Sequence, residues 1–412
     1  MKKLLVILFA LGLVFAFSAP VMAVDVSFDG SYRIRGWYDS NSALQKESTP
    51  SAYYDQRMRV GTTFQVAEGL KVITRFDALD GIWGTTAMRG DNPTAVNNVQ
   101  FDKAYVQFVT GIGQVRAGFF SDGVWGTDFG DLEIFCGKID LISKVGDIYL
   151  YLNTTKRSEG DMGTVYSDHD NDGYVAAFWY NKDGINPGFL YKYYRVADSA
   201  VDNLTTMNIV IPFVKATLGD LYVESEIIWI DGEINNAAGT HLVDLEGLAA
   251  YAMAKYNLGS AYVGGLIAYA KGNDPTDATT NGGMADSGGD WDPMLILFND
   301  NCPTSLGWVP GSTTGTAMNN GYIYQVFAGT TIDKLSLRGS FSYATADEVA
   351  VGFDGDYGTE LDLEASYKIY DNLTYQVGFG YLWAGDYYKG ATAAANEIDD
   401  TYLLMNKLQV TF

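Results

Sequence analysis

The chain has 412 residues, of which 47% are hydrophobic and 14% aromatic, and its formal net charge is −23. This charge excludes a nucleic-acid-binding protein that works through a basic surface, because phosphate contacts require clustered Lys and Arg side chains. The aromatic content, together with only 19% charged residues, also excludes a disordered acidic chain.

The first 23 residues predict a cleaved secretory signal peptide. Lys2 and Lys3 precede an apolar stretch at 4–17, and Val-Met-Ala at 21–23 fits a small-residue cleavage site. The apolar stretch is short for a membrane span, although an uncleaved anchor is the alternative. Loss of two lysines leaves 25 basic against 50 acidic residues, so the mature single domain, 24–412, carries −25.

After the leader, apolar and polar residues alternate with period two. In residues 373–383 every odd position is apolar, and near the C-terminus Leu408, Val410 and Phe412 alternate with polar neighbours. Side chains of a strand point alternately to opposite faces, so each segment has one apolar and one polar face. No run of 18 apolar residues follows the leader, which argues against a further transmembrane helix.

Both a soluble sandwich and a membrane barrel show such alternation, and three features favour the barrel. The segments are about ten residues long, as tilted membrane strands are. Tight turns alternate with long polar connections. Aromatic pairs stand at segment ends, where membrane interfaces are expected, at Trp37-Tyr38, Trp179-Tyr180 and Tyr387-Tyr388. We therefore predict an all-β transmembrane antiparallel up-and-down β-barrel with short periplasmic turns and long extracellular loops.

Eight tight turns and nine longer loops predict 18 strands, an even number that places both termini on one side. The alternative is 16 strands, because one strand pair within 118–144 could instead be a loop. The predicted strands begin at Val24, Tyr53, Leu70, Val99, Gln114, Leu132, Asp147, Asp172, Ile185, Asn203, Leu221, Val243, Ser260, Gly321, Leu335, Gly358, Leu373 and Thr401.

The leader, the alternating strands and the terminal Leu-Gln-Val-Thr-Phe at 408–412 resemble the general porins of the Gram-negative outer membrane. The resemblance implies an outer-membrane location among its lipids, a homotrimer, and passive diffusion of ions and small hydrophilic solutes. It also implies that the third long loop, here 121–133, folds into the pore as a constriction.

The expected polar faces of the first strands carry a row of basic residues, and the constriction loop carries acids. Opposite charges across a narrow gap create a transverse field that orients water and polar solutes. In the alternative, the arginines pair with neighbouring acids in a filled interior, although a barrel this wide is not filled by wall side chains alone. The predicted pore-lining residues are Arg33, Arg35, Arg57, Arg59, Lys71, Arg75, Lys103, Arg116, Asp122, Asp128, Asp131 and Glu133.

We expect a weak preference for cations. The overall acidity concentrates cations at both mouths, while the basic row opposes them at the narrowest point. Salt screens the charges at the mouths over a distance of about a Debye length, so the charges of the constriction count most at the narrowest point. Further acids are expected on the inner face of later strands, at Glu224, Glu226, Asp244, Glu246, Asp362 and Glu364.

One motif is similar to the opening of a calcium loop. Asp168, Asp170 and Asp172 alternate before a glycine, but the twelfth position holds Trp179 instead of the closing glutamate. We therefore favour a plain acidic extracellular loop and no cofactor, with a structural calcium ion as the alternative.

The two cysteines, Cys136 and Cys302, are too far apart in sequence for a zinc or haem motif. An exported protein can join such a pair in a disulfide, and the sequence leaves this open. Cys302 lies in a long surface loop, 272–320, whose apolar run at 291–298 would cover the mouth, pack into the barrel or contact a neighbouring subunit.

No enzyme is predicted. His169 and His241, the two histidines, both fall in expected loops, and neither has the context of a catalytic base. The alternative to a porin is an outer-membrane scaffold or adhesin-like barrel whose loops bind a partner. Electrical conductance separates these two functions.

Overall fold

A computed structural model describes residues 24–41, 43–46, 48–85, 99–160, 169–198, 203–236, 238–285, 287–288, 291–299, 318–391 and 397–412. The predicted leader, 1–23, lies outside these residues. The strands are β1 (Asp25–Asp39), β2 (Ser51–Ala67), β3 (Leu70–Ile82), β4 (Val99–Thr110), β5 (Gly113–Asp122), β6 (Ile134–Val145), β7 (Ile148–Ser158), β8 (Asn171–Tyr180), β9 (Ile185–Asp198), β10 (Asn203–Leu218), β11 (Leu221–Asn235), β12 (His241–Leu258), β13 (Ala261–Ala270), β14 (Thr280–Asn281), β15 (Gly321–Ile332), β16 (Leu335–Thr345), β17 (Asp356–Tyr370), β18 (Leu373–Ala384) and β19 (Thr401–Thr411).

Eighteen of these strands form a closed antiparallel barrel. Each long strand pairs with the next, and β1 also pairs with β19 from Ser31 opposite Thr411 to Asp39 opposite Leu403. The two-residue β14 lies outside this order, since it pairs in parallel with β12 while β13 pairs directly with β15. The predicted barrel of 18 strands is confirmed and the alternative of 16 is wrong, because β5 and β6 pair as two full strands.

Every predicted strand start lies within two residues of the observed one. The turns explain this accuracy, because they carry residues that tolerate left-handed backbone. Gly69 has φ +73° in the turn between β2 and β3, and Asp333 has φ +54° between β15 and β16. Glycine has no Cβ to clash in this conformation, and aspartate is among the residues that adopt it most readily.

The two faces of the wall differ as the alternation predicts. Ile139 is 56% exposed on the outer face, whereas the next residue, Asp140, is 2% exposed on the inner face. Val326 and Gln325 repeat the contrast at 63% and 3% exposure. The outer face of the wall is thus apolar and the inner face polar, the distribution that is typical of transmembrane barrels.

Of the aromatic pairs that were expected at the membrane interfaces, some have one ring inside the barrel. Trp37 is buried on the inner face, and Tyr387 packs inside against Tyr357 with ring centroids 4.7 Å apart. Trp37 lies on β1, where consecutive side chains point to opposite sides and one ring of an aromatic pair faces inward. Tyr387 lies instead in the short 3-10 helix Asp386–Lys389. On the outside, Tyr54 and Trp83 stack with centroids 5.3 Å apart near the loop end of the barrel.

Helices are few in the described part of the chain. Two short 3-10 helices occur there, at Asp128–Gly130 and Asp386–Lys389. No helix among the described residues has the length and apolarity that a membrane-spanning helix requires.

Candidate pore constriction

The connection between β5 and β6, 123–133, folds into the barrel. Its centre is the 3-10 helix Asp128–Gly130, whose start is capped by the Thr127 hydroxyl accepting a hydrogen bond from the Phe129 N–H. Phe129 is fully buried: it stacks on Tyr251 of β12 at 5.2 Å and meets Trp291 edge-on at 5.0 Å. The loop that we predicted to constrict the pore therefore lies inside the wall. We call 123–133 the constriction loop.

Two hydrogen-bonded contacts carry the constriction loop across the lumen to strands far from its own. The Trp125 indole N–H donates to the carbonyl oxygen of Ile211 on β10 at 3.0 Å. The backbone N–H and the hydroxyl of Thr127 both donate to Glu226 Oε2 on β11, each at 2.6 Å. The loop thus spans from β5 and β6 to β10 and β11.

The predicted basic row lies on the inner face, and most of its arginines pair with acids of the next strand. Three of these pairs are directly opposite in the strand register, where cross-strand charges interact most strongly. The closest N···O distances are 2.9 Å for Arg35–Asp55, 2.7 Å for Arg59–Asp77, 2.6 Å for Arg75–Asp102 and 2.6 Å for Arg116–Asp140.

Glu133 links the constriction loop to this row. Its carboxylate lies 3.0 Å from Lys103 Nζ and 3.1 Å from Arg75 Nη2. Burial tends to raise the pKa of Glu133, but the hydrogen bond and charge of Lys103, followed by those of Arg75, outweigh it and lower the pKa. Glu133 is therefore ionised at neutral pH and faces the basic row directly.

A second cluster gathers around Asp122, which is 2% exposed at the end of β5. Lys192 Nζ donates to its carboxylate, Arg157 Nη2 lies 3.5 Å away and Lys138 Nζ 3.8 Å away. The Tyr194 hydroxyl donates to the same carboxylate at 3.1 Å. Three cations thus converge on one acid, which leaves the cluster positive.

The other predicted pore residues take different places. Asp128 is exposed, and Asp131 accepts a hydrogen bond from the backbone N–H of Trp125 at 2.6 Å within the loop. Arg33 lies directly opposite Arg57 in the register, and Arg57 Nε is 3.9 Å from an Asp77 oxygen. Lys71 has a partly buried side chain on β3.

The constriction loop and the wall from β4 to β11 enclose a cavity of about 840 Å³. Its charged lining is richer in bases than in acids, and aromatic rings such as Phe120 and Trp179 stand between them. The charged lining residues are Lys103, Arg116, Lys138, Arg157, Lys192 and Lys215 with Asp122, Asp131 and Glu133.

The apolar run at 291–298 packs into the barrel, one of the three arrangements that the sequence left open. Ile296 is fully buried and Leu297 is 1% exposed. Their backbone N–H groups donate to the two carboxylate oxygens of Glu360 on β17, at 2.7 and 2.8 Å. This packed segment fills part of the lumen beside β15 and β17, where the Gln325 side-chain amide also donates to the Pro293 carbonyl oxygen.

The two in-folded segments also contact each other. The backbone N–H of Gly288 donates to the carbonyl oxygen of Phe129 at 2.6 Å. Together with the Phe129–Trp291 ring contact, this hydrogen bond joins the constriction loop to the in-folded part of the long loop 272–320.

Four of the six acids expected inside on later strands lie on the inner face: Glu224, Glu226, Asp362 and Glu364. The prediction was wrong for Asp244 and Glu246, which alternate with the buried Leu245 and point outward; Glu246 pairs there with Lys271 at 2.6 Å. Both acids lie within six residues of the start of the 18-residue β12, near the connection from β11.

The calcium and disulfide hypotheses stay predictions. Asp168 lies outside the described residues, while Asp170 and Asp172 both form ion pairs with Lys156. No group of three or more potential metal ligands occurs among the residues that the structure describes. Cys136 is buried on β6, and Cys302 lies outside the described residues.

Several residues of the site were not predicted from the sequence. Lys138, Arg157 and Lys192 lie on later strands at inner-face positions, and Trp125 anchors the loop. Alternation was the signal for the three cations, since each occupies the polar face of its strand. The anchoring contact of Trp125 had no such signal, because it joins residues 86 positions apart.

Comparisons with known proteins identify the fold. The sequence matches no protein-family model and no curated protein. Among solved structures, OpdL of Pseudomonas aeruginosa has a TM-score of 0.56 at 13% identity, covering 94% of this chain and 98% of its own. A BenF-like porin from Pseudomonas fluorescens Pf-5 has a TM-score of 0.56 at 12% identity, covering 94% and 99%.

A third similar structure is OpdK of P. aeruginosa, solved with vanillate. It has a TM-score of 0.54 at 10% identity and covers 94% of this chain and 98% of its own. Identities this low show the fold alone. The chain has the barrel fold of outer-membrane porins, and the predicted porin-like architecture is confirmed.

Proposed function

We propose that the chain forms a water-filled channel of the outer membrane for passive diffusion of ions and small hydrophilic solutes. The observation that carries the proposal is the closed wall of 18 strands with ionised side chains inside and apolar side chains outside. A barrel of this strand number is too wide to be filled by its own wall, and the constriction loop narrows it. The proposal assigns no catalytic activity to the chain.

Liposome swelling tests the proposal. Liposomes containing the refolded protein should swell quickly in isotonic solutions of small sugars and ever more slowly as the solute grows. Swelling no faster than that of protein-free liposomes would contradict a diffusion channel.

The proposal includes a transverse field between the basic row and the constriction loop. The contacts of Glu133 with Lys103 and Arg75 support it, since they bring a loop acid against the row. Fixed opposite charges in a poorly hydrated passage favour polar solutes over apolar ones.

The proposal also includes a weak cation preference. The ion pairs between neighbouring strands neutralise much of the basic row, so the acidity of the whole chain weighs more at the mouths. The positive charges of Arg33 and Arg57, which face each other in the strand register, and of the Asp122 cluster act in the opposite direction, which keeps the preference weak. In bilayers, Asp128→Asn with Asp131→Asn should lower the cation-to-anion permeability ratio; an unchanged ratio would remove these two acids from the proposal.

A homotrimer in outer-membrane lipid belongs to the same proposal. An outward-facing groove of about 730 Å³ supports a subunit contact, because Ala252 and Ala254 form its floor beside the exposed side chains of Ile267 and Phe341. Native mass spectrometry in detergent should give three chains per particle, and a monomer would contradict the assembly.

One observation favours the alternative of an outer-membrane scaffold with partner-binding loops. The segment at 291–298 and residues such as Met318 and Tyr357 form an apolar cluster inside the barrel, which reduces the open cross-section. A sealed barrel without conductance would support the scaffold.

A further inference from the structure

Glu226 is 1% exposed on the inner face of β11 and makes its contacts with the constriction loop. Its Oε2 accepts hydrogen bonds from the backbone N–H and from the hydroxyl of Thr127, each at 2.6 Å. Thr127 caps the 3-10 helix of the loop, so the carboxylate holds the residue that sets the direction of this turn. The two residues are 99 positions apart in the chain.

The Glu226 carboxyl group fits against the constriction loop because glycines, Gly126 and Gly130, flank it on both sides. A Cβ atom placed on Gly130 would lie 2.1 Å from Glu226 Oε1, and one placed on Gly126 would lie 2.6 Å from Oε2. Both distances are far below contact distance. A loop with side chains at these positions therefore cannot approach the carboxylate in the same way.

The remaining contacts of the loop tip depend on the same turn. Phe129 is stacked on Tyr251 and Trp125 reaches Ile211 on either side of Thr127. Thr127 makes two hydrogen bonds to one buried oxygen of Glu226, which makes this contact the main polar anchor of the loop tip.

We propose that Glu226 is the positioning residue that holds the constriction loop across the lumen and thereby sets the width and charge of the passage. The inference rests on the proposed channel function. It differs from a general role in folding, because Glu226 contacts the loop through side-chain bonds that are separate from the backbone ladder of the barrel.

Hydrogen exchange tests the anchor independently of conductance. In Glu226→Ala, exchange of the peptide containing Thr127 should accelerate at least about tenfold, since both hydrogen bonds from Thr127 to the Glu226 side chain are lost. Glu226→Gln keeps an acceptor oxygen and should stay close to wild type. Glu233→Ala is the matched control, because Glu233 lies half-exposed near the end of the same strand.

Single-channel recording tests the consequence for the passage. Glu226→Ala should lose the single steady level of the wild type, show more open-channel noise and admit larger polymers, while heat-modifiable gel mobility shows an intact barrel. Unchanged exchange and unchanged recordings in Glu226→Ala would overturn the inference.

A double variant sharpens the test. Gly130→Ala alone should loosen the loop, because the new methyl group meets the carboxylate. In the Glu226→Ala background the same change should add nothing, since the space is empty. Additive effects of the two changes would contradict the assigned contact.

The outcomes separate this inference from the channel proposal. A wild-type barrel that passes no current would refute the channel, and hydrogen exchange would still decide whether Glu226 holds the loop. A conducting wild type with an unaffected Glu226→Ala variant would refute the positioning role alone.

Discussion

Arg33 of β1 lies directly opposite Arg57 of β2 on the inner face of the barrel. Lys407 of β19 lies opposite Arg35 in the same part of the wall, where the barrel closes. Like charges that face each other across a strand pair are destabilising. The wall from β19 through β1 to β2 therefore presents a net positive charge to the lumen, and the repulsion between these side chains destabilises the wall.

Replacing Arg33 should relieve this repulsion. In Arg33→Gln, we expect the free energy of unfolding to be unchanged or higher by up to about 1 kcal/mol, because a like-charge pair is removed. The cation-to-anion permeability ratio should rise, since a positive side chain leaves the wall. Urea unfolding in vesicles and reversal potentials in a salt gradient measure the two effects. A large loss of stability would contradict the expectation, because it would show that favourable contacts of Arg33 outweigh its repulsion from Arg57.

Asp122 is a single buried acid surrounded by three basic side chains, so it is held by attraction, whereas Arg33 and Arg57 repel each other. Asp122→Asn should destabilise the barrel by about 3–5 kcal/mol, because it leaves buried charges without their partner. In bilayers, the permeability ratio should shift toward anions. The control is Asp147→Asn, whose half-exposed pair with Lys182 is worth only about 0–1 kcal/mol. Equal effects of the two variants would contradict the cluster.

Glu133 predicts a response to acid. Because its folded pKa is below the usual value near 4.5, its ion pairs stabilise the docked loop fully above that value. The contribution is lost as the pH falls through the lowered pKa, when the carboxylate takes up a proton. The contribution of Glu133 to the conductance and to the hydrogen-exchange protection factors of the constriction loop should therefore be constant above pH 4.5 and fall below it.

The matched variant is Glu133→Gln, which has no carboxylate to titrate. Its constriction loop should exchange faster at neutral pH and should lack the part of the acid response that Glu133 causes. An identical acid response in the variant and the wild type would assign the effect to another group.

The segment at 291–298 is held by apolar packing. Ile296→Ala should weaken its docking by about 2–5 kcal/mol, since Ile296 is fully buried. Limited proteolysis should then cut the segment while the barrel stays intact. Ile112→Ala is the control, because Ile112 is 71% exposed in a turn. Equal protease resistance of the two variants would show that Ile296 does not hold the segment.

Much of the barrel was predictable because its rules are local. Alternation identifies the faces of each strand, and turn residues such as Gly69 and Asp333 mark where strands reverse. The inner position of the basic row followed from the same alternation. These features need no knowledge of distant contacts.

Contacts across the lumen were not predictable in the same way. Alternation shows that Glu226 and Glu360 face inward, but not that one meets Thr127 and the other meets Ile296 and Leu297. Those contacts depend on how two loops fold inside the barrel. The outward direction of Asp244 and Glu246 was missed because polar residues occupy either face of a strand beyond the membrane.

A continuous aqueous passage is the central claim, and single-channel conductance with polymer exclusion tests it most directly. We predict a steady ohmic current from the purified protein in a planar bilayer, reduced by small polymers that enter the passage and unaffected by large ones. A correctly folded barrel that inserts into the bilayer and passes no current would contradict the claim.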